Sequence, residues 1–422
     1  MSSITRVLAS FMALLAALFS LLMPAEPEEP RFPETKVREK IAFDEGEFVL
    51  KSCDIMVSPQ GDDKNHGTSD APLKTPEAAK ERAKLLKDAD CGHVTVWFRE
   101  GVYTLSDTLE FTADDLTDVT YRSYPNERVV FSAAMEITGW TRTTVNGVNA
   151  FVTDCAINSE GDFFNAVYNG ETRLKRPVYP KVGEFSVSKA LDDDAFRPDI
   201  ELFKLHAAFY ANTSDVMSFK NLNDVDVRIL HYWNDELLPI LSLDPATGRI
   251  ETQKPASMTI FENDRFFFEN VFEALSEPGE WYLDRTSEKL YYIPFAGETP
   301  ENTVLNASLV EQLVTLDGCK NVSFQGIEFR DSAWDIHSGE HWSTINNKNH
   351  PLFPNLKYQS NFPQACFDSP CAVTLKGCET VTFADCEFKN IGSSALMFGE
   401  GSRSCRAEAC KFDNYRRQCR IH

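Results

Sequence analysis

The chain is written mostly in short runs whose apolar and polar residues alternate. Val94-Thr-Val-Trp-Phe98 sends side chains to two faces with period two, and Val119-Thr-Tyr121 repeats the pattern 25 residues on, with Val129 to Phe131 continuing it. Such runs predict β-strands. Ahead of them, Asp54-Ile-Met-Val reads as a short strand followed by a polar turn. Thr75-Pro76-Glu77 then opens a helix with an N-cap, a proline in the first turn and an early acid, and the helix is expected to run to about Lys87. One amphipathic helix before strands at this spacing predicts a cap over the open end of a solenoid, where it shields unpaired edges.

From about Asn306 the pattern becomes an explicit repeat. Val314-Thr-Leu-Asp-Gly-Cys-Lys-Asn-Val-Ser-Phe-Gln-Gly-Ile-Glu-Phe329 aligns with Val373-Thr-Leu-Lys-Gly-Cys-Glu-Thr-Val-Thr-Phe-Ala-Asp-Cys-Glu-Phe388. A weaker third copy runs from Met397 through Cys405, Cys410 and Phe412, with Cys386 to Cys410 and Phe388 to Phe412 both 24 residues apart. A period of this size with short strands and polar turns predicts stacked coils, with Val, Leu, Phe and Cys facing inward. Glu328, Glu387 and Lys411 are then outward, beside Arg330, Lys389 and Asp413. Mixed charges on strands about 4.8 Å apart predict a cross-strand ladder, the competing reading being a catalytic role for either Glu.

Two stretches interrupt the repeat. Residues 136–304 hold scattered aromatics and no fixed period, and read as an inserted β-rich unit. Phe329 and Phe388 are 59 residues apart, so one coil carries an insertion at 332–370. Long irregular loops in compact repeats commonly carry function. This one contains Trp334, His337, His341, Trp342, His350, Tyr358, Phe362 and Gln364. Aromatic faces stack on sugar C–H surfaces, and His, Asn and Gln bond hydroxyls, so Trp334, His337, His341, Trp342, Tyr358 and Gln364 are the candidate substrate-binding residues. The alternative is that the aromatics simply pin the loop to the solenoid. His337 and His341 have i, i+4 spacing, but Gly339 between them argues against the helix a metal pair would need, so no metal is expected. No nucleophile elbow, phosphate loop or dinucleotide fingerprint is present, and no cofactor is expected. Asp331, Asp335, Glu340 and Asp385 are the nearby carboxylates, read mostly as turn and surface residues.

Composition narrows the partners. Acidic residues number 64 against 42 basic, a formal charge of -22. That excludes nucleic acid and disfavours a polyanionic substrate unless a cation bridges it. Phe is heavily used, with 31 residues, which suits β structure. The 11 cysteines include no CxxC pair, so neither a zinc framework nor a disulfide scaffold is expected. Arg6 followed by a charge-free run over residues 7–23 predicts export. A cleaved signal peptide and an uncleaved membrane anchor are both open, and the location is secreted or extracellular in either case.

The segments MVSPQGDDKNHGTSDAPLKTPEAA with VTVWFREGVYTL, FFFENVFEAL with PGEWYLDRTSEKLYYIP, LVEQLVTLDGCKNVSFQGIEFRDSAW, and QACFDSPCAVTLKGCETVTFADCEFKNIGSSAL together resemble bacterial right-handed parallel β-helix proteins. The resemblance spans about residue 54 to 414 and points to β-helix glycoside hydrolases, the group with α-L-fucosidase and xylanase members. It implies an all-β right-handed parallel β-helix, a polysaccharide or oligosaccharide substrate, and a substrate groove beside the Trp334 to Gln364 loop. It places the catalytic acids on later coils, so no catalytic residue is assigned here. A polysaccharide lyase on the same fold and a non-catalytic carbohydrate-binding adhesin are the alternatives.

The expected organisation is residues 1–25, signal peptide or anchor; 26–50, an acidic Pro-containing linker; 51–135, N-terminal cap and first coils; 136–304, the inserted unit; and 305–414, further coils. In residues 415–422 the repeat gives way to Tyr-Arg-Arg-Gln-Cys-Arg-Ile-His. By analogy with Asn390-Ile-Gly-Ser-Ser-Ala the coil should continue Ile-Gly-Gly-Ser-Ala-Val, and a one-nucleotide insertion after Asn414 converts one coding of that motif into this tail. The expectation is therefore a frameshifted tail and an inactive chain.

Overall fold

The computed structural model describes residues 53–113, 117–155, 164–191, 206–232, 235–253, 256, 258–308, 310–333 and 371–413. These residues are almost all β, with both parallel and antiparallel sheets and a single α-helix. No helix among them is long and apolar enough to cross a membrane, and the proposed anchor at 7–23 lies outside them.

Three of the sheets are parallel, and the chain visits them in rotation. Leu109–Thr112 lies in a four-stranded sheet, Thr117–Ser123 in a six-stranded one, and Val129–Ser132 in a five-stranded one. Later passes repeat the circuit as Val314–Asp317, Lys320–Gln325 and Ile327–Arg330, then Cys371–Lys376, Thr382–Ala384 and Glu387–Lys389, then Ser394–Phe398, Arg406–Glu408 and Lys411–Asp413. Each strand pairs in register with its equivalent in the neighbouring pass: Val314 with Leu109 and Val373, Phe324 with Tyr121 and Phe383, Phe329 with Phe131 and Phe388.

The corners follow from backbone conformation. Left-handed residues sit at equivalent places in successive passes: Asn321, Thr380 and Ser404; Gly326, Asp385 and Ala409; Asp331 and Asn390. A single residue with positive φ turns the strand into the next sheet, a conformation that Gly, Asn and Asp adopt most readily. Between the corners every second side chain points inward, and identical side chains stack. Tyr121 and Phe324 have ring centroids 5.3 Å apart, and Phe324 and Phe383 5.2 Å apart. The inward cysteines Cys319, Cys378 and Cys386 are buried and take part in no disulfide.

At the N-terminal end the helix Pro76–Asp88 lays Ala79 and Ala83 on this core. Thr75 caps it, its Oγ accepting from the Ala78 N–H at 3.1 Å. Asp63 in turn accepts from the N–H groups of Lys74 and Thr75 at 2.8 and 2.9 Å. A disulfide joins Cys53, before the first strand, to Cys91, after the helix. Nothing in the cysteine spacing predicts this pairing, which among the described residues is one bond rather than a disulfide scaffold.

Between Val129–Ser132 and Val314–Asp317 the chain runs through antiparallel sheets. Ala134–Ile137 pairs with Leu305–Ser308, so the departing and returning segments are tied together. This lets the strands on either side stack directly, with Val119 beside Val322 and Val130 beside Glu328. Inside the detour, Asp226–Leu230, Asp235–Asp244 and Arg265–Glu269 build a sheet around Phe266, Phe268, Ile229 and Leu238.

Candidate functional site

The six candidate residues Trp334, His337, His341, Trp342, Tyr358 and Gln364 lie outside the described residues, as do Asp335, Glu340 and the segment 414–422. The root of the 332–370 loop is described, and it is held by a buried ionic network. Asp331 turns the chain with φ +60°. Its Oδ2 accepts from Arg330 Nε at 2.7 Å and Ser132 Oγ at 2.9 Å, and its Oδ1 from Asn390 Nδ2 at 2.9 Å. Arg330 also meets Glu328 at 3.2 Å and Glu171, on the hairpin at 167–173, at 3.3 Å. Burial works against the Arg330 charge, but Asp331, Glu328 and Glu171 outweigh it and raise its pKa. Glu328 accepts from Arg128 at 2.6 Å, and Lys411 donates to Glu387 at 2.8 Å. The outward charges of the five-stranded sheet are thus each paired, although in register Glu328 lies beside Glu387 and Arg330 beside Lys389. Asp331 has both oxygens occupied, so it anchors the loop rather than offering a free carboxylate.

The outward face of the six-stranded sheet is different in character. One column across the strands is Asp54, Thr95, Thr120, Ser323, Thr382 and Arg406. The next is Met56, Trp97, Arg122, Gln325, Ala384 and Glu408. Its centre carries hydroxyls, an amide and an indole. Gln325 Nε2 donates to Ser323 Oγ at 3.1 Å, and His93 Nε2 lies 3.0 Å from Thr120 Oγ1. The Arg122 guanidinium stacks on the Trp97 ring, 4.5 Å from its centroid. Beside them Arg99 lies over Tyr124 at 4.6 Å and pairs with Glu127 at 2.6 Å. Sequence reasoning missed this face. The alternation in Val94 to Phe98 marks Thr95 and Trp97 as sharing one side, but their alignment with Ser323 and Gln325 depends on coils more than 200 residues apart.

A third cluster lies in the antiparallel region. His231 is almost fully buried, with Nε2 3.2 Å from Glu236 and Nδ1 3.4 Å from Asp264. Burial alone would lower its pKa, but the two carboxylates raise it to about 9. Glu236 also accepts from the Met258 N–H at 2.9 Å, and Asp264 from the Phe261 N–H at 2.8 Å. Such a closed cluster ties a hairpin to a loop and leaves no group for a substrate. Among the described residues no three His, Cys, Asp or Glu side chains are placed to hold a metal ion.

Comparison with known proteins places this architecture. Residues 226–295 match the protein-family profile described as "GH141 insertion domain". A solved structure titled "Glycoside hydrolase" superposes with a TM-score of 0.63 at 20% identity, covering 83% of this chain and 65% of that one. A Bacillus subtilis (strain 168) protein, "Uncharacterized protein YwoF", is 36% identical over 78 residues, 18% of this chain and 15% of its own length. The chain therefore spans about two thirds of the solved relative and a small part of the curated one. The fold is similar to that of the solved structure titled "Glycoside hydrolase", and residues 226–295 within it match the GH141 insertion-domain profile.

Proposed function

We propose that this is an exported carbohydrate-active protein of the glycoside hydrolase type, built on a right-handed parallel β-helix and acting on plant or other complex polysaccharide. The observation that carries the reading is the conjunction of a GH141-type insertion at 226–295 with rotating parallel sheets around an aromatic stack. The outward-pointing residues Thr95, Ser323 and Gln325, half-buried beside the buried Thr120 and Trp97, support it, because neutral donors and acceptors in register suit a hydroxyl-rich polymer. The loop carrying Trp334, His337, His341, Trp342, Tyr358 and Gln364 is proposed to flank the bound chain. Export is proposed from the charge-free run at residues 7–23, by secretion or by an anchor.

A second reading, a non-catalytic carbohydrate-binding solenoid, draws on one specific observation. Glycoside hydrolysis ordinarily needs two carboxylates flanking the bond. In the two outward columns of the six-stranded sheet the acids are Asp54 and Glu408, at its opposite edges. Incubating the full chain with a panel of xylans, pectins and neutral oligosaccharides separates the readings. New reducing ends identify a hydrolase, unsaturated products a lyase, and binding without products a binding solenoid.

A further inference from the structure

Among the described residues, Arg122 has no carboxylate to meet. Arg176, Arg228 and Arg330 are also set into the protein, Arg228 more deeply than Arg122, and each faces carboxylates: Asp226 for the first, Glu269 and Asp235 for the second, Asp331 and Glu328 for the third. The described residues show Arg122 only the Trp97 ring. Its Nε is buried and has no hydrogen-bond acceptor among the described residues. Burial lowers its pKa, and no neighbouring carboxylate offsets that. A half-buried guanidinium without a counter-charge is unusual in a chain of net charge -22.

We propose that Arg122 anchors an acidic sugar, through the carboxylate of a uronic acid or a sulfate ester, on a polysaccharide lying across the outward face of the six-stranded sheet. This rests on the carbohydrate reading above and narrows it to acid-bearing glycans. The guanidinium fork matches two anionic oxygens at once. The guanidinium already rests over the Trp97 ring, 4.5 Å from its centroid, so less side-chain freedom is lost when an anion docks. Gln325, in register on the next pass, and Ser323, bonded to it, set neutral hydrogen-bonding groups beside the charge. A ligand there meets a cation flanked by groups for sugar hydroxyls. Arg122 is the bridging cation that a polyanion would need on so acidic a protein. At about 0.15 M salt the Debye length is about 8 Å, so a docked anion is governed by Arg122 more than by distant charge.

Calorimetric titration of the full chain with an oligogalacturonate, a sulfated galacto-oligosaccharide and a neutral xylo-oligosaccharide of equal length tests this. Wild type should bind one acidic ligand about tenfold more tightly than the neutral one, and which acid it prefers tells carboxylate from sulfate. Arg122→Gln should collapse the ratio towards one. Arg122→Lys, which keeps the charge without the fork, should restore only part of it and guards against a folding defect in the first variant. Neutral binding as tight as acidic binding, or a ratio that survives in Arg122→Gln, overturns the proposal while leaving the carbohydrate reading standing. Binding of none of the three ends both.

Discussion

Phe388 and Phe412 lie face to face on successive passes, with ring centroids 5.0 Å apart and planes 7° from parallel. Phe329 continues the stack on the other side, 5.2 Å from Phe388. The middle ring is fully buried, whereas Phe412 is partly exposed. Phe388→Ala removes contacts on both faces and should cost roughly 3–5 kcal/mol, while Phe412→Ala should cost clearly less. Denaturant midpoints of the two variants check the order.

Ala409 occupies a corner with φ +53°, where the equivalent residues are Gly326 and Asp385. An alanine pays for that conformation through its Cβ. Ala409→Gly should therefore stabilise the protein, by about 1 kcal/mol, visible as a higher melting temperature. A fall would mean that the corner is not left-handed in solution.

Asp331 combines a left-handed backbone with three accepted hydrogen bonds. Asp331→Ala leaves the Arg330 charge under-compensated at a buried site and should cost roughly 3–5 kcal/mol. Asp331→Asn tolerates the same φ and keeps part of the bonding, so it should cost less. Equal losses in thermal melts would show that the carboxylate charge, which both variants lack, sets the penalty rather than backbone conformation.

His231 makes stability pH-dependent. Its pKa is raised in the folded state to about 9, against about 6.5 when unfolded. The group thus stabilises the fold fully below pH about 6.5, and that contribution is lost as pH rises through about 9. Thermal midpoints should fall over this window in wild type, and the slope should flatten in His231→Gln. Parallel profiles for the two proteins would remove His231 from the account.

The sequence alignment of Val314 to Phe329 with Val373 to Phe388 is also the spatial register, since inward residues at a fixed period have one way to stack. The helix after Thr75 was equally legible, because cap, proline and acid are local signals. The Arg128–Glu328 pair and the Trp97–Arg122–Gln325 column were not. They join passes separated by the whole antiparallel detour, whose short strands are set by tertiary pairing rather than by period. His231, Glu236 and Asp264 escaped notice for a related reason: buried charges have no periodic signature. The Cys53–Cys91 bond depends on where a helix ends relative to a strand.

The outward face of the six-stranded sheet is proposed to receive a glycan. Hydrogen–deuterium exchange of the full chain, with and without a bound oligosaccharide, reads this most directly. Protection is predicted in the strands Val94–Phe98, Thr117–Ser123 and Lys320–Gln325, with little change in the antiparallel strands at 226–269. Protection confined to those antiparallel strands, or none at saturating ligand, would contradict it.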